Sequence, residues 1–533
     1  ARAEPAALVE YRSQGSLLIL GPFDTVMTAA QKLKGRLEMT LLISEGEIDF
    51  HRLEDEGLDL VQARPRAIEG YLGAFRVTVG GPQGEVDLAS LSTTGRERFD
   101  LVLDLGHQPL LSWELPPPGY YHAPDVAGLE RIVAELPEMV GSFEKPGYVL
   151  YDPHICAHGS RGMTGCSRCL EVCPSGALTS IGEMIQLDPF LCQGAGSCAA
   201  ACPTGAIAYA YPRPRDTLAT LQAMLKAYRQ AGGERPCLLF YDAQGGRERL
   251  ERLAGDLPGH MVPFELAELA ATGLETWLAA LAYGAVGLCW LPAEGLAPSL
   301  LRELDRQLEL ARTLLVGMGY RPPLELLVGD DDDVLQRLHD APPANPWPPA
   351  AFATFDEKRN TLRLAMDHLL AHAPAAEEVV PLPATAPFGR VLVDGGNCTL
   401  CMSCAAVCPT GAIATGGGVP RLTFTEEQCV QCGLCERACP ERVVTLEARY
   451  LYDAKARRRP RVLHEEPPFL CVGCGKPFAT RSIIERMTAK LAGHWMYQDQ
   501  RARRRLQMCE DCRVADMFQA GQNSRTAEGV DKP

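Results

Sequence analysis

The stretch NCTLCMSCAAVCP, from Asn397 to Pro409, and the stretch QCVQCGLCERACP, from Gln428 to Pro440, decide the fold of this part of the chain. Each has cysteines spaced C-x2-C-x2-C, and a further cysteine stands directly before a proline. Thiolates at this spacing wrap one cubane iron-sulfur cluster, while the last cysteine points away toward a second cluster. The spacing predicts one 4Fe-4S cluster on Cys398, Cys401, Cys404 and Cys439, and its neighbour on Cys429, Cys432, Cys435 and Cys408.

This repeat, including the run PTGAI that begins at Pro409, resembles the bacterial two-cluster ferredoxin family over about 60 residues. The resemblance implies the pseudo-twofold (βαβ)2 ferredoxin fold for residues 390–452. If these cysteines bound zinc or formed disulfides instead, the ferredoxin spacing would have to arise twice by coincidence. We therefore expect iron-sulfur clusters here.

The same pattern returns in altered form within residues 148–214. Met163 stands where the first ligand belongs, ahead of cysteines that keep their spacing. The glycine-containing insertion 157–165 can loop out, so Cys156 can replace the missing ligand. A 4Fe-4S cluster is predicted on Cys156, Cys166, Cys169 and Cys202. His154 and His158 flank this loop, and we expect them to form ordinary hydrogen bonds rather than to bind the cluster.

The second half of this module lacks a ligand. Ala195 occupies the position of the middle cysteine and has no donor atom. A cubane corner without a protein ligand tends to lose its iron, so a 3Fe-4S cluster is predicted. The alternatives are a 4Fe-4S cluster with a solvent or remote ligand, and loss of the cluster. The remaining protein ligands are Cys173, Cys192 and Cys198.

Two C-x2-C pairs lie near the end of the chain, within residues 463–518. Such pairs at long separation are typical of a closed, structural Zn²⁺ site. A further iron-sulfur cluster is the alternative. The predicted ligands are Cys471, Cys474, Cys509 and Cys512. We expect residues 519–533 to be a disordered tail.

Apolar runs at 17–20, 39–43 and 99–105 predict a small α/β domain with a largely parallel sheet over residues 1–147. A second such domain is predicted over residues 215–340, with strands near 237–241, 286–291 and 324–328. Cys237 and Cys289 lie in these strands and are expected to be buried structural thiols. A proline-rich connector with one helix spans 341–389. The predicted fold class is therefore a multidomain α/β plus α+β protein.

The 533 residues carry a net charge of -15, which argues against nucleic acid as a partner. The longest uncharged run, 276–293, is broken by glycines and a proline, so we expect a buried helix and strand and no transmembrane segment.

The 21 cysteines occur in tight groups and need reducing conditions, which predicts a cytoplasmic protein. Basic runs at 455–461 and 501–505 are expected to be solvated, with docking of an acidic partner as the alternative.

Two broader resemblances follow from other stretches. Gly70-Tyr71-Leu72-Gly73, the strand-like run 99–105, the segment 144–146 and Cys156-Ala157-His158 resemble polyferredoxin subunits found with bacterial formate dehydrogenase-type oxidoreductases. Residues 285–287 and the elements up to 328 resemble the delta subunit of methyl-viologen-reducing hydrogenase. That family binds a 2Fe-2S cluster through several cysteines, whereas only two cysteines remain in the strands here.

These patterns predict an electron-transfer subunit that carries electrons between a partner oxidoreductase and another carrier, without a substrate site of its own. The chain has no dinucleotide fingerprint, P-loop or nucleophile elbow, so no flavin or NAD site is expected. The alternatives are a redox sensor, an assembly factor, or an enzyme that uses an open iron at the cluster near Ala195.

Overall fold

The computed structural model of the chain describes residues 7–48, 59–81, 84–93, 95–243, 245–340, 346–354, 356–417 and 419–527. Two α/β domains, two cysteine-rich modules, a connecting segment and a C-terminal module follow one another along these residues.

The N-terminal domain contains a five-stranded parallel sheet in the order β4-β3-β2-β8-β9. Its central strands β2 and β8 are buried along almost their whole length and are mainly apolar, as is usual for a parallel sheet covered on both faces. Strands β5, β6 and β7 form a separate antiparallel sheet, and β1 pairs with β10. The elements are β1 (Leu8–Ser13), β2 (Ser16–Pro22), α1 (Phe23–Leu33), β3 (Glu38–Glu45), β4 (Asp59–Gln62), β5 (Pro65–Glu69), β6 (Arg76–Gly81), β7 (Gly84–Asp87), β8 (Leu101–Asp104), β9 (Tyr120–His122), α2 (Val126–Glu135) and β10 (Gly141–Pro146).

The first cysteine-rich module is closed by antiparallel pairing of its first and last strands, β11 and β16. Two hairpins, β12–β13 and β14–β15, and two short helices lie between them. The elements are β11 (Val149–Tyr151), β12 (Gly159–Ser160), β13 (Met163–Thr164), α3 (Arg168–Glu171), β14 (Leu178–Ile181), β15 (Met184–Leu187), α4 (Ser197–Ala201) and β16 (Ile207–Tyr209).

The middle domain has a four-stranded parallel sheet in the order β18-β17-β19-β20, which confirms the predicted strands. The uncharged run forms buried α7 and β19, as expected. Cys237 and Cys289 lie in neighbouring strands, are almost fully buried and share a hydrogen bond. The elements are α5 (Pro214–Gln230), β17 (Cys237–Asp242), α6 (Gly245–Leu253), β18 (Met261–Leu266), α7 (Leu274–Ala282), β19 (Gly287–Leu291), α8 (Pro298–Gly317), β20 (Leu324–Leu326) and α9 (Asp331–Asp340).

The connector packs on the middle domain through α10 (Lys358–Ala371), whose apolar face joins the core of α7 and α8. Strand β21 (Val379–Pro381) then pairs with the last strand of the second cysteine-rich module. That module repeats the arrangement of the first. Its elements are β22 (Gly389–Val393), α11 (Ser403–Ala406), β23 (Ile413–Thr415), β24 (Arg421–Phe424), α12 (Leu434–Arg437) and β25 (Val444–Leu451).

The C-terminal module begins with a basic helix. Its elements are α13 (Ala454–Arg458), β26 (Arg461–Glu465), β27 (Pro468–Leu470), β28 (Pro477–Thr480), α14 (Arg481–Leu491), α15 (Gln500–Arg505) and α16 (Glu510–Ala527). Among the residues that the structure describes, no helix combines the length and apolar character needed to cross a membrane.

Two expectations for this region are corrected. The basic run 455–461 is only partly solvated. Arg457 is buried and forms ion pairs with Glu427 and Asp367, as the exposed Arg458 also does, whereas Lys455 and Arg459 are exposed. The predicted tail is helical through Ala527, while residues 528–533 lie outside the described part of the chain. Extending a helix that has already formed costs much less than starting one, so α16 continues beyond its anchored first turns.

Candidate metal centres

Backbone turns direct the cysteines of the second module inward. Leu400 and Met402 on either side of Cys401 have positive φ angles of 53° and 62°. Gln431 and Gly433 on either side of Cys432 have φ angles of 53° and 82°. Left-handed residues reverse the local chain direction, so each C-x2-C-x2-C stretch curls around a common point.

Two small cavities lie at the centres of these curls, each with a volume of about 20 Å³. Each cavity is lined by three cysteines of one stretch and the last cysteine of the other, which is the combination predicted from the spacing. We number the four cysteine groups of the two modules from 1 to 4, with groups 1 and 2 in the first module and groups 3 and 4 in the second. The first set here is group 4 and the second set is group 3. Group 4 is Cys398, Cys401, Cys404 and Cys439, and group 3 is Cys408, Cys429, Cys432 and Cys435.

The thiols of these groups are crowded and largely shielded from water, except for that of Cys401, which is exposed. Burial raises the pKa of Cys404 to about 12, and the nearby thiols of Cys398 and Cys401 add to the shift. Burial, followed by the other thiols of group 3, likewise raises the pKa of Cys435. Thiolates in such a place need a strongly cationic partner, which an iron-sulfur core supplies when bound. The residues of groups 3 and 4 therefore fit the predicted 4Fe-4S clusters.

In the first module the structure brings Cys156 to the cysteines with which it was predicted to act. Burial raises the pKa of Cys169 to about 12, and the thiols of Cys202, Cys166 and Cys156 raise it further. The intervening insertion forms the separate hairpin β12–β13, in which Met163 is a strand residue. We call Cys156, Cys166, Cys169 and Cys202 group 2.

His158 is an ordinary hydrogen-bonding residue, as expected. One ring nitrogen contacts the carbonyl oxygen of Cys166 at 2.8 Å, and the other contacts the hydroxyl of Ser180 at 2.7 Å. With both nitrogens engaged and the ring buried, His158 supports the loop of group 2.

The remaining cysteines of this module, Cys173, Cys192 and Cys198, form group 1. Burial raises the pKa of Cys198 well above the usual value for a thiol, and Cys192 and Cys173 contribute next. Ala195 stands in the same loop position as Cys401 and Cys432. It is buried and lies between two left-handed glycines, Gly194 at φ 80° and Gly196 at φ 75°. The loop geometry is therefore kept although the thiol is absent.

Lys145 lies beside group 1. Its ammonium donates hydrogen bonds to the carbonyl oxygens of Phe190 and Cys192, at 2.9 and 2.7 Å. Burial lowers the pKa of Lys145 to about 8, whereas the nearby Cys192 thiol and Asp188 carboxyl oppose that shift. This lysine belongs to the N-terminal domain, so that domain contributes a cation to the surroundings of group 1.

The C-terminal cysteines form a tighter set than groups 1 to 4. The four sulfur atoms of Cys471, Cys474, Cys509 and Cys512 all lie within 4.8 Å of one another. In the described part of the chain no other set of three or more such ligands is this compact. Backbone N–H groups of Cys509 and Gly473 donate to the Cys471 sulfur at 3.2 and 3.3 Å. Burial opposes these hydrogen bonds but is outweighed, so the pKa of Cys471 falls to about 6.

Comparison with known families agrees with this geometry. A family model described as the 4Fe-4S dicluster domain matches residues 163–206 and residues 397–443. The first match begins at Met163 and does not include Cys156. No protein of curated function matches the chain. The chain is thus a ferredoxin-like iron-sulfur protein whose two dicluster domains imply up to four 4Fe-4S clusters and a role in electron transfer.

Sequence reasoning missed the polar side chains that lie beside the cysteines. Lys145 was not identified because it lies 47 residues before Cys192. Gln431 was passed over as a spacer, although its amide donates to the Cys429 sulfur at 3.2 Å. Its position between two ligand cysteines was the only available signal.

The Gln431 hydrogen bond leads to a prediction about potential. A donor to a thiolate stabilises the more negative, reduced state, so Gln431→Leu should lower the midpoint potential of the group 3 centre. The loss of about 1 kcal/mol corresponds to about 40 mV for one electron. Redox titration followed by EPR measures this shift. Gln498→Leu, which changes an exposed glutamine, is the control, and equal potentials in wild type and Gln431→Leu would show that the contact has no effect.

Proposed function

We propose that the protein is an electron relay in which groups 1, 2, 3 and 4 hold iron-sulfur clusters in a single line. When bound, such clusters accept and donate single electrons. The chain's own contribution is to hold neighbouring groups close together, to exclude water and to supply N–H donors and cations beside the thiolates.

The observation that carries this proposal is the order in which the groups neighbour one another. Cys169 of group 2 is among the thiols that raise the pKa of Cys198 in group 1, after burial and nearer thiols. Cys404 of group 4 acts in the same way on Cys435 of group 3. Within each module, therefore, the two groups are neighbours.

The decisive junction is the one between the modules. Burial raises the pKa of Cys166 in group 2 to about 11, and Cys432 of group 3 is among the thiols that raise it further. A hydrogen bond also joins the two modules at this point, because the Arg437 side chain of α12 donates to the carbonyl oxygen of Thr164. Gly165 lies so close to Leu434 that a Cβ atom would be 2.7 Å from the leucine Cγ. The line of groups therefore continues from one module to the other.

The two ends of the line differ. Cys401 of group 4 is exposed, so a redox partner has access there. Group 1 lies against the N-terminal and middle domains, where Lys145 and the loop at Ala271 cover it. The exposed end supports docking of a partner oxidoreductase. The resemblance noted above favours a formate dehydrogenase-type partner, and reducing conditions favour the cytoplasm.

Arg437→Glu tests the junction between modules. Removing this donor and adding a negative charge should weaken the contact by about 1.5–3 kcal/mol and slow redistribution of electrons between the modules, because electron tunnelling falls steeply with distance. Pulse radiolysis follows that redistribution, and EPR should show unchanged individual clusters with weaker spin coupling. The control is Arg442→Glu, an exposed arginine in the same module. If electrons equilibrate between the modules at the wild-type rate in Arg437→Glu, the junction is not the route.

Group 1 is proposed to hold a 3Fe-4S cluster, because Ala195 offers no ligand in a loop that otherwise keeps its geometry. Ala195→Cys should add about one iron per chain, remove the EPR signal of the oxidised three-iron cluster and lower the potential, since another thiolate disfavours an added electron. Iron analysis and EPR are the measurements, and Ala280→Cys in buried α7 is the control. An oxidised wild type without EPR signal, together with unchanged iron in the variant, would show that another ligand fills the corner.

The C-terminal group is proposed to hold one structural Zn²⁺. Its compact sulfur set suits a single tetrahedral ion, whereas a cubane separates its thiolates more widely. Cys474→Ser should lower zinc content and thermal stability while leaving the visible iron-sulfur absorption intact. Metal analysis and thermal melts measure these effects, with Cys237→Ala as a cysteine control outside the group. Loss of iron instead of zinc would reassign the site.

A further inference from the structure

A cavity of about 660 Å³ lies between the two ferredoxin modules and the start of α10. Small-molecule sites commonly have volumes of about 300–1,000 Å³. Thr204 lines the cavity from the first module and Thr410 lines it from the second. These threonines follow Cys202 of group 2 and Cys408 of group 3 by two residues. A molecule bound here would lie beside the junction of the two modules.

Charged side chains line this cavity in nearly equal numbers, with cations in excess by one. The cations are Lys358, Arg359, Arg363, Arg449 and Arg457, and the carboxylates are Asp356, Glu357, Glu426 and Glu427. Asp367 pairs with three arginines, namely Arg363 at 3.7 Å, Arg457 at 3.6 Å and Arg458. Glu427 pairs with two of the same arginines, Arg457 at 3.2 Å and Arg458 at 3.0 Å. Three guanidinium groups therefore share two carboxylates.

Arg359 adds a fourth guanidinium. It lines the cavity and donates to the carbonyl oxygens of Pro387, Glu427 and Cys429. No carboxylate of the described residues lies within 4.0 Å of it. The five cations and four carboxylates that line the cavity leave an excess of one positive charge. Cations in a partly dry cavity favour an anion, and a phosphate monoester carries a charge of about -1.5 to -2.

The first turn of α10 opens into the same cavity. Lys358, Arg359 and Asn360 begin this 14-residue helix and all three line the space. Glu357, at the N-cap position, makes no side-chain capping hydrogen bond. The backbone N–H groups at a helix N-terminus attract anions, and the helix dipole favours negative charge there. The helix and the guanidinium groups therefore favour the same kind of ligand.

Part of the wall is apolar. Ile155, Leu362, Met366 and Phe388 line it, and the guanidinium carbon of Arg359 lies 5.7 Å from the centre of the Phe388 ring. Inorganic phosphate would use none of this surface. An apolar or aromatic body attached to the phosphate would bury it and gain hydrophobic free energy.

We propose that this cavity binds an organic phosphate, a molecule with one phosphate group and a ring body of nucleotide size. The phosphate lies at the first turn of α10 near Arg359 and Arg363, and the ring lies against the apolar wall. The absence of dinucleotide and P-loop motifs does not conflict with this site, because its groups come from the first module, the connector and the second module. The site goes beyond the relay, which does not depend on it.

Calorimetric titration of the full-length, cluster-loaded protein tests the proposal, with flavin mononucleotide, adenosine monophosphate and inorganic phosphate as probes. At least one organic phosphate should bind more tightly than inorganic phosphate. Asn360→Asp should weaken that binding about tenfold, because the new carboxylate repels the phosphate. The same carboxylate favours the helix N-terminus, so the thermal midpoint should not fall. Arg363→Gln should also weaken binding, whereas Arg302→Gln, at an exposed arginine of α8, should not.

Tighter binding of the flavin would identify a redox-active ring, and tighter binding of the adenosine compound would identify a nucleotide; both support the proposal. Failure of all three probes to bind at millimolar concentration would overturn it. Equal affinity for inorganic phosphate and both organic probes would also overturn it, as would unchanged binding in Asn360→Asp. Calorimetry requires no electron transfer, so a negative result here leaves the relay intact, and a slow relay leaves this site intact.

Discussion

The attraction between buried thiolates and a cationic core is the interaction on which both ferredoxin modules depend. Their thiols are packed so closely that burial and mutual repulsion raise the pKa of Cys169 and Cys404 to about 12. Without a metal centre the thiols would remain protonated, and no metal–sulfur bonds would hold the loops together. Each group also takes one cysteine from the opposite half of its module, so metal binding joins the two halves.

The other domains hold these modules in place. Lys358 of the connector donates to the carbonyl oxygens of Ala199 and Ala200 in the first module, at 2.7 and 2.6 Å. On the other side, the Tyr452 hydroxyl donates to the carbonyl oxygen of Leu314 in α8 at 2.7 Å. The connector and the middle domain therefore form a scaffold against which both modules are fixed. A fixed separation between centres is what electron transfer through a chain of groups requires.

Group 1 shows that loop geometry and ligand identity are separate properties. The loop around Ala195 keeps the left-handed turns found beside Cys401 and Cys432, here provided by Gly194 and Gly196. Gly196 is also required by packing, since a Cβ atom there would lie 2.4 Å from Ala271 of the middle domain. Contact with a neighbouring domain thus holds the loop in a position where a thiolate is missing, and this makes group 1 the distinctive centre of the chain.

The sequence by itself determined the chemistry of this protein, because metal ligands that share a loop must follow one another at short, regular spacing. The cysteine groups, the parallel sheets and the missing ligand at Ala195 were all visible in that spacing and in the apolar runs. Only the tertiary structure decided the order of the groups, since Cys166 and Cys432 are 266 positions apart in the chain. It also showed that Arg457 is buried in ion pairs and that a cavity lies between the modules. These features arise from contacts between distant segments, which no local pattern records.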